Sequence, residues 1–258
     1  GGFIFAGNAK GSDGQIKVKI FWAGSMGGPK EILKLTGTGA VQLGATAQGY
    51  FTAELPVAGN ASHLRVHETP QQAVDTWKRW QEDPQTQADL ENNGVIALYH
   101  QGSNPYRLFC TKPVTTVAEL NGLRVRVPGA PYWPEYFAKV VVPVSIPYSE
   151  MYDALQKGTV DCSLAAHEQA ISGKFYEVAK YAIDLNFGAQ PVWGIFVNRK
   201  LFNEWPENVQ KLMLDVSNEL MEREPKEAAE LAEKTINEDF PAHGVTYVKF
   251  EEAAQLDE

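Results

Sequence analysis

Between Leu123 and Val127 apolar and basic side chains alternate residue by residue, the pattern of a short strand with two unlike faces. Leu123, Val125 and Val127 fall on one face of a short strand and Arg124 and Arg126 on the other, because successive strand side chains point to opposite sides. Pro128 and Gly129 stop the strand just after Arg126. In an open α/β sheet, ligands collect at the carboxyl ends of strands. Arg126 is therefore placed to offer a planar, two-pronged donor to a carboxylate. The alternative is a pair of solvated arginines on an edge strand, and spacing alone does not separate the two.

The rest of the chain alternates strands with helices. A buried strand is expected before Pro147, then a helix over 148–157 closed by Gly158 and a strand starting at Thr159. Ile16, Val18 and Ile20 alternate with lysines as a half-exposed strand after the turn at Ser12-Asp13-Gly14. Further strands are expected at 41–44, 95–99, 181–185 and 245–250, with a helix over 69–81. From Pro206 onward Val209, Leu212, Met213, Val216 and Leu220 share one helical stripe. Pro225 is expected to kink or split that helix. The alternation means an α/β fold.

Composition excludes some functions. A net charge of -9 argues against nucleic acid and against an anionic membrane surface. It leaves room for a local cationic site, since net charge speaks of solubility rather than of sites. No apolar run is long enough to span a bilayer, and 1–10 lacks the basic start and apolar core of a signal peptide. Cys110 and Cys162 are expected to be free, buried thiols acting as small hydrophobes.

Several ordered motifs carry a likeness to one family. They are the Gly122-Leu123-Arg124-Val125-Arg126-Val127-Pro128 run and the block from Pro143 through Tyr148 and Glu150-Met151-Tyr152 to Asp161. Lys174-Phe175-Tyr176-Glu177-Val178 and Val197-Asn198-Arg199 follow in order. Together they resemble the solute-binding proteins of tripartite ATP-independent periplasmic (TRAP) transporters. The resemblance implies a two-lobed periplasmic-binding-protein-like fold with a hinge and a long spanning helix. Domain I would hold 1–106 and about 194–235; domain II would hold 107–193 and about 236–258, with the ligand cleft between them. Family members begin with a strand and helix that the short segment before Ser12 cannot supply, and usually end in a further helix. A first strand is therefore expected to be missing, as in a fragment.

The same resemblance implies roles. Arg126 is the carboxylate arginine, and Arg107 a second basic group near the same carboxylate, with a structural salt bridge as the alternative. Tyr148 packs on the solute or in the core. Trp193 lies at the second crossover, and Gln48, Tyr50 and Phe51 on a loop facing the cleft. Tyr132 and Trp133 are rim or plain surface. Ala165 and Gly129 replace asparagines of the sialic-acid branch, which disfavours that ligand and points to a smaller, less hydroxylated organic acid. The implied partners are a carboxylate ligand and TRAP membrane permease subunits, with the protein periplasmic and monomeric. No cofactor or metal is expected.

Competing chemistry is thinly supported. Cys162 and His167 lack an orienting third group for nucleophilic catalysis, and His63 and His67 lack a third metal ligand. No dinucleotide fingerprint is present. An ABC-type binding protein, or an enzyme acting on a small carboxylic acid, stays open as an alternative.

Overall fold

The computed structural model describes residues 16–21, 24–60, 63–130 and 132–253. The expected Ser12-Asp13-Gly14 turn and the segment before it lie outside these residues. Among them are nine strands: β1 Leu43–Thr46, β2 Val95–Gly102, β3 Arg107–Cys110, β4 Arg124–Val127, β5 Val142–Ser145, β6 Cys162–Ala165, β7 Tyr181–Asp184, β8 Pro191–Asn198 and β9 Thr246–Lys249. No strand forms over 16–21, because none of the strands in the two sheets pairs with it.

The chain divides into two compact α/β units. The first holds the described residues up to 60 with Gln71–Gly102 and Pro191–Lys226; the second holds His63–Pro70, Ser103–Gln190 and the residues from Glu227 onward. The crossings fall before the expected 106/107, 193/194 and 235/236. The excursion His63–Pro70, assigned by sequence to the first domain, belongs to the second unit. Backbone bonds hold it there: Arg65 donates to the Phe187 carbonyl at 3.0 Å, and Ala189 to that of His67 at 2.7 Å.

In the first unit β8 lies between β1 and β2, antiparallel to both. Its run of apolar, aromatic and β-branched residues suits a strand buried on both faces. The helix Pro70–Gln81 turns Val74 and Trp77 inward at i, i+3 spacing, against Leu90, Val95 and Phe196. The helix Pro84–Asn92 starts where the Asp83 carboxylate accepts from the Gln85 and Thr86 amides, with Pro84 in the first turn.

The second unit is built on a six-stranded sheet of order β5-β4-β6-β3-β7-β9. β4 runs parallel to both β5 and β6, β3 antiparallel to β6 and β7, and β7 parallel to β9. β5, expected to be buried, is half exposed because it is the sheet's edge. Tyr148–Glu150 forms a 3-10 turn that leads into the helix Met151–Gln156. Gly158, at φ +65°, ends that segment in the left-handed conformation that costs glycine least. Phe109, Met151, Leu155, Phe175 and Phe240 form the core.

Cys110 and Cys162 are not free thiols. They form a disulfide across β3 and β6, where antiparallel register sets them directly opposite with Cα atoms 4.1 Å apart. A partner 52 residues away is a product of register, which cysteine spacing cannot reveal.

The helix Glu207–Lys234 is continuous over 28 residues, about 42 Å at 1.5 Å per residue. Pro225 does not split it. Val209, Met213, Ser217, Met221 and Pro225 follow at i, i+4 spacing as one buried stripe, so packing of that stripe offsets the single backbone bond that proline removes. The change from first to second unit falls one residue past this proline.

Candidate functional site

The parallel run of β5, β4 and β6 gives their carboxyl ends a common edge, and Arg126 sits one residue from the end of the middle strand. Its side chain is 3% exposed, not solvated, and β4 is an interior strand rather than an edge. The guanidinium donates through Nε to the Ile146 carbonyl at 2.7 Å and through Nη1 to the Leu164 carbonyl at 3.0 Å. Both acceptors are backbone carbonyls, and together they orient the fork. Arg124 behaves differently. It points to water and grips Asp161 through Nε and Nη2 at 3.1 and 2.9 Å, holding that carboxyl below its usual range.

Sheet register brings the second arginine to the same face and edge. Arg126 is opposite Ser163, and Ala165, two residues on, is opposite Arg107. β3 runs against its neighbours, so its first residue lies beside their last. Arg107 Nε stands 3.4 Å from Asp184 Oδ1, an ion pair without a directed hydrogen bond at Nε, and Nη1 donates to the Tyr106 carbonyl at 3.2 Å. The salt-bridge alternative for Arg107 is thus present in this structure. Tyr247 donates its hydroxyl to the same Asp184 oxygen at 3.1 Å.

Tyr148 lies within the electrostatic reach of Arg126 and Glu168. Its ring packs against Phe175 with centroids 6.0 Å apart, and its hydroxyl bonds the Gln169 carbonyl and Ser172 Oγ at 3.2 and 3.1 Å. Burial raises the phenol above its usual range. Glu168 is raised too, again mainly by burial, although Asn104 donates to it from both its side-chain amide (2.9 Å) and its backbone N–H (3.3 Å). The sequence reading missed Glu168 and Asp184. Their signal is a carboxyl near an arginine or an Asn-Pro turn across the sheet, which needs the register.

The remaining candidates belong to the first unit. Gln48 is buried and donates to the Pro191 carbonyl at 2.6 Å. Phe51 is part of the hydrophobic core, with Tyr50 packed partly buried against it. Trp193 is half-buried on β8 opposite Gln101. In the second unit Trp133, expected at a rim or on the surface, is 1% exposed, because the helix Tyr132–Phe137 turns it toward Phe137 and Tyr106. Tyr132 stacks on His63 at 4.7 Å.

Cys162 is in the disulfide, and His63 and His67 lie on no helix. Among the described residues no three metal-ligating side chains come together, and no helix is long and apolar enough to cross a membrane.

His167, 4% exposed, has its ring edge-on to Phe109 and tilted against Phe240 and Tyr247. Burial, aided by the Arg107 charge, pushes its pKa down to about 4. The unfolded chain takes up that proton near 6.5, the folded one only near 4. Stability is therefore whole above pH 6.5 and falls as pH drops toward 4, by about 3 kcal/mol for this residue. His100, stacked on Trp77 and lowered by burial, acts in the same direction; Glu168, raised, opposes both just above the ordinary carboxylate range. Melting temperatures should decline between pH 6.5 and 4.5, and His167→Phe should flatten the slope. An unchanged slope in that variant would remove His167 as the cause.

Comparison with known proteins places this architecture. Residues 5–257 match the family described as bacterial extracellular solute-binding protein, family 7 (DctP). A solute-binding protein of Sulfitobacter sp. is 31% identical over 135 residues, 50% of this chain and 39% of its own length. The 2,3-diketo-L-gulonate-binding periplasmic protein of Escherichia coli is 23% identical over 87% of this chain and 68% of its own. A Bordetella pertussis extracytoplasmic solute receptor binding pyroglutamic acid superposes with TM-score 0.87 at 18% identity, covering 99% of this chain and 84% of that one. A Desulfovibrio salexigens TRAP periplasmic solute-binding protein with bound orotic acid gives 0.81 at 22% identity, over 98% and 82%. The same α/β architecture thus recurs in solved TRAP receptors, and the family match runs through both arginine strands. The chain belongs to the bacterial extracellular solute-binding proteins of family 7.

Proposed function

We propose that this chain is a monomeric periplasmic receptor that captures a small organic acid and delivers it to a TRAP-type membrane permease, without chemical conversion. The observation that carries the reading is Arg126: a buried guanidinium at the common carboxyl edge of three parallel strands, aimed by the Ile146 and Leu164 carbonyls. Its natural counterpart is a planar carboxylate. Arg107 lies on the same face as a second cation, with Tyr148 as the flanking aromatic. Pyroglutamic and orotic acids, bound by two structural neighbours, share a carboxylate on a compact ring. The Cys110–Cys162 disulfide favours an oxidising compartment such as the periplasm.

The test is a thermal-shift screen pairing each acid with its uncharged counterpart: pyroglutamate with pyrrolidinone, orotate with uracil, galacturonate with galactose. A ligand at 100 times its Kd stabilises by about 2.7 kcal/mol. Hits should carry a free carboxylate and emerge chemically unchanged. Equal shifts from uncharged partners would overturn the ligand class, and product formation would revive the enzyme alternative. Neighbouring genes for an ATPase in place of two permease subunits would favour an ABC-type system.

A further inference from the structure

In the first unit, the turn from β8 into the helix Arg199–Glu204 builds a cationic groove from residues the proposed function does not use. Its floor is fixed backbone. The Asn198 side chain accepts from the Leu201 amide at 2.9 Å and donates to the Thr36 and Gly37 carbonyls at 2.9 and 3.0 Å. The Arg199 amide donates to the Gly94 carbonyl at 2.9 Å. Gly37 and Gly94 meet so closely that a Cβ on Gly37 would overlap the Asn93 carbonyl, and Gly94 sits at φ +66°.

Over this floor opens a groove of about 450 Å³, walled by Arg199, Lys200, Asn203 and Glu204. The Gly37 and Gly94 carbonyls are already engaged, so recognition falls to the side chains. Among the described residues no carboxylate pairs with Arg199, and its Nε is buried without an acceptor. Lys200 reaches Glu204 only at 4.0 Å, with both side chains largely in water. Two cations therefore face one anion, on a protein whose net charge is -9. An acidic surface with a local excess of positive charge over rigid backbone is suited to hold an oxyanion.

We propose that this groove is a second anion site, separate from the arginine strands. It takes one carboxylate or phosphate group on the Arg199 guanidinium, with Lys200 adding charge and Asn203 an amide donor. The group's source is either a small acid in solution or an acidic side chain of a docking protein. The Gly37, Gly94 and Asn203 amides report on it by ¹⁵N-resolved NMR. The probes are sodium acetate, inorganic phosphate and an acetylated, amidated Glu-Glu peptide, each matched against sodium chloride at equal ionic strength.

Saturable shifts at those three amides are expected, with the midpoint raised about tenfold or more in Arg199→Gln, because the fork is lost. A response to acetate or phosphate identifies free anions as the source. A response to the peptide alone identifies an acidic side chain. No shift beyond that of chloride, or an unaltered response in Arg199→Gln, overturns the site. The shifts should persist in Arg126→Lys, and Arg199→Gln should leave the acid-induced melting shift unchanged. Failure here is thereby separated from failure of the receptor reading.

Discussion

Arg126→Lys should fold and yet lose nearly all acid-induced thermal shift. Lysine keeps the charge but cannot bridge the Ile146 and Leu164 carbonyls while presenting two parallel donors to a carboxylate. Deleting the charge outright, as in Arg126→Ala, costs about 3–5 kcal/mol, or two to four decades of affinity at about 1.4 kcal/mol each. Arg126→Ala should abolish binding too, but it also strips two buried carbonyls of their donor, at roughly 1–3 kcal/mol each in fold stability. The lysine variant is therefore the cleaner probe, with its ligand-free melt as control. Binding at wild-type strength in folded Arg126→Lys would mean that the carboxylate is held elsewhere.

Opening the Cys110–Cys162 bridge should have an effect of similar size on stability. The bond closes a loop of 52 residues, for which chain-entropy reasoning gives about 4 kcal/mol at 25 °C. That corresponds to a drop of about 15 °C in melting temperature for a unit of this size. Cys110→Ala with Cys162→Ala should show it in chemical denaturation, because both side chains are buried and leave small voids as well. A double variant melting with the wild type would mean the bridge is not formed in the native protein.

Local patterns carried much of the fold into view. The alternation around Arg126 marked β4, Val74 and Trp77 follow from helical spacing in Pro70–Gln81, and the stripe from Val209 to Leu220 marked the long helix. Each is set by residues within a few positions of one another. What stayed hidden depends on partners far along the chain. The disulfide requires β3 and β6 in register, the Arg107–Asp184 pair requires β7 beside β3, and the exposure of β5 requires knowing that it is an edge. Trp133 next to tyrosine and proline reads as surface, and only packing against Tyr106 and Phe137 turns it inward. Arg126 was legible as a candidate because a Pro-Gly stop is local; its two carbonyl anchors were not.

The placement of β8 has a consequence for biosynthesis. Among the described residues β1 and β2 make no pairing with each other, and each is hydrogen-bonded to β8. A ribosome therefore releases both outer strands well before the middle one exists, and the first sheet can close only after Asn198 has emerged. Until then the nascent polypeptide carries unmatched edges, a condition that favours holding chaperones over early collapse.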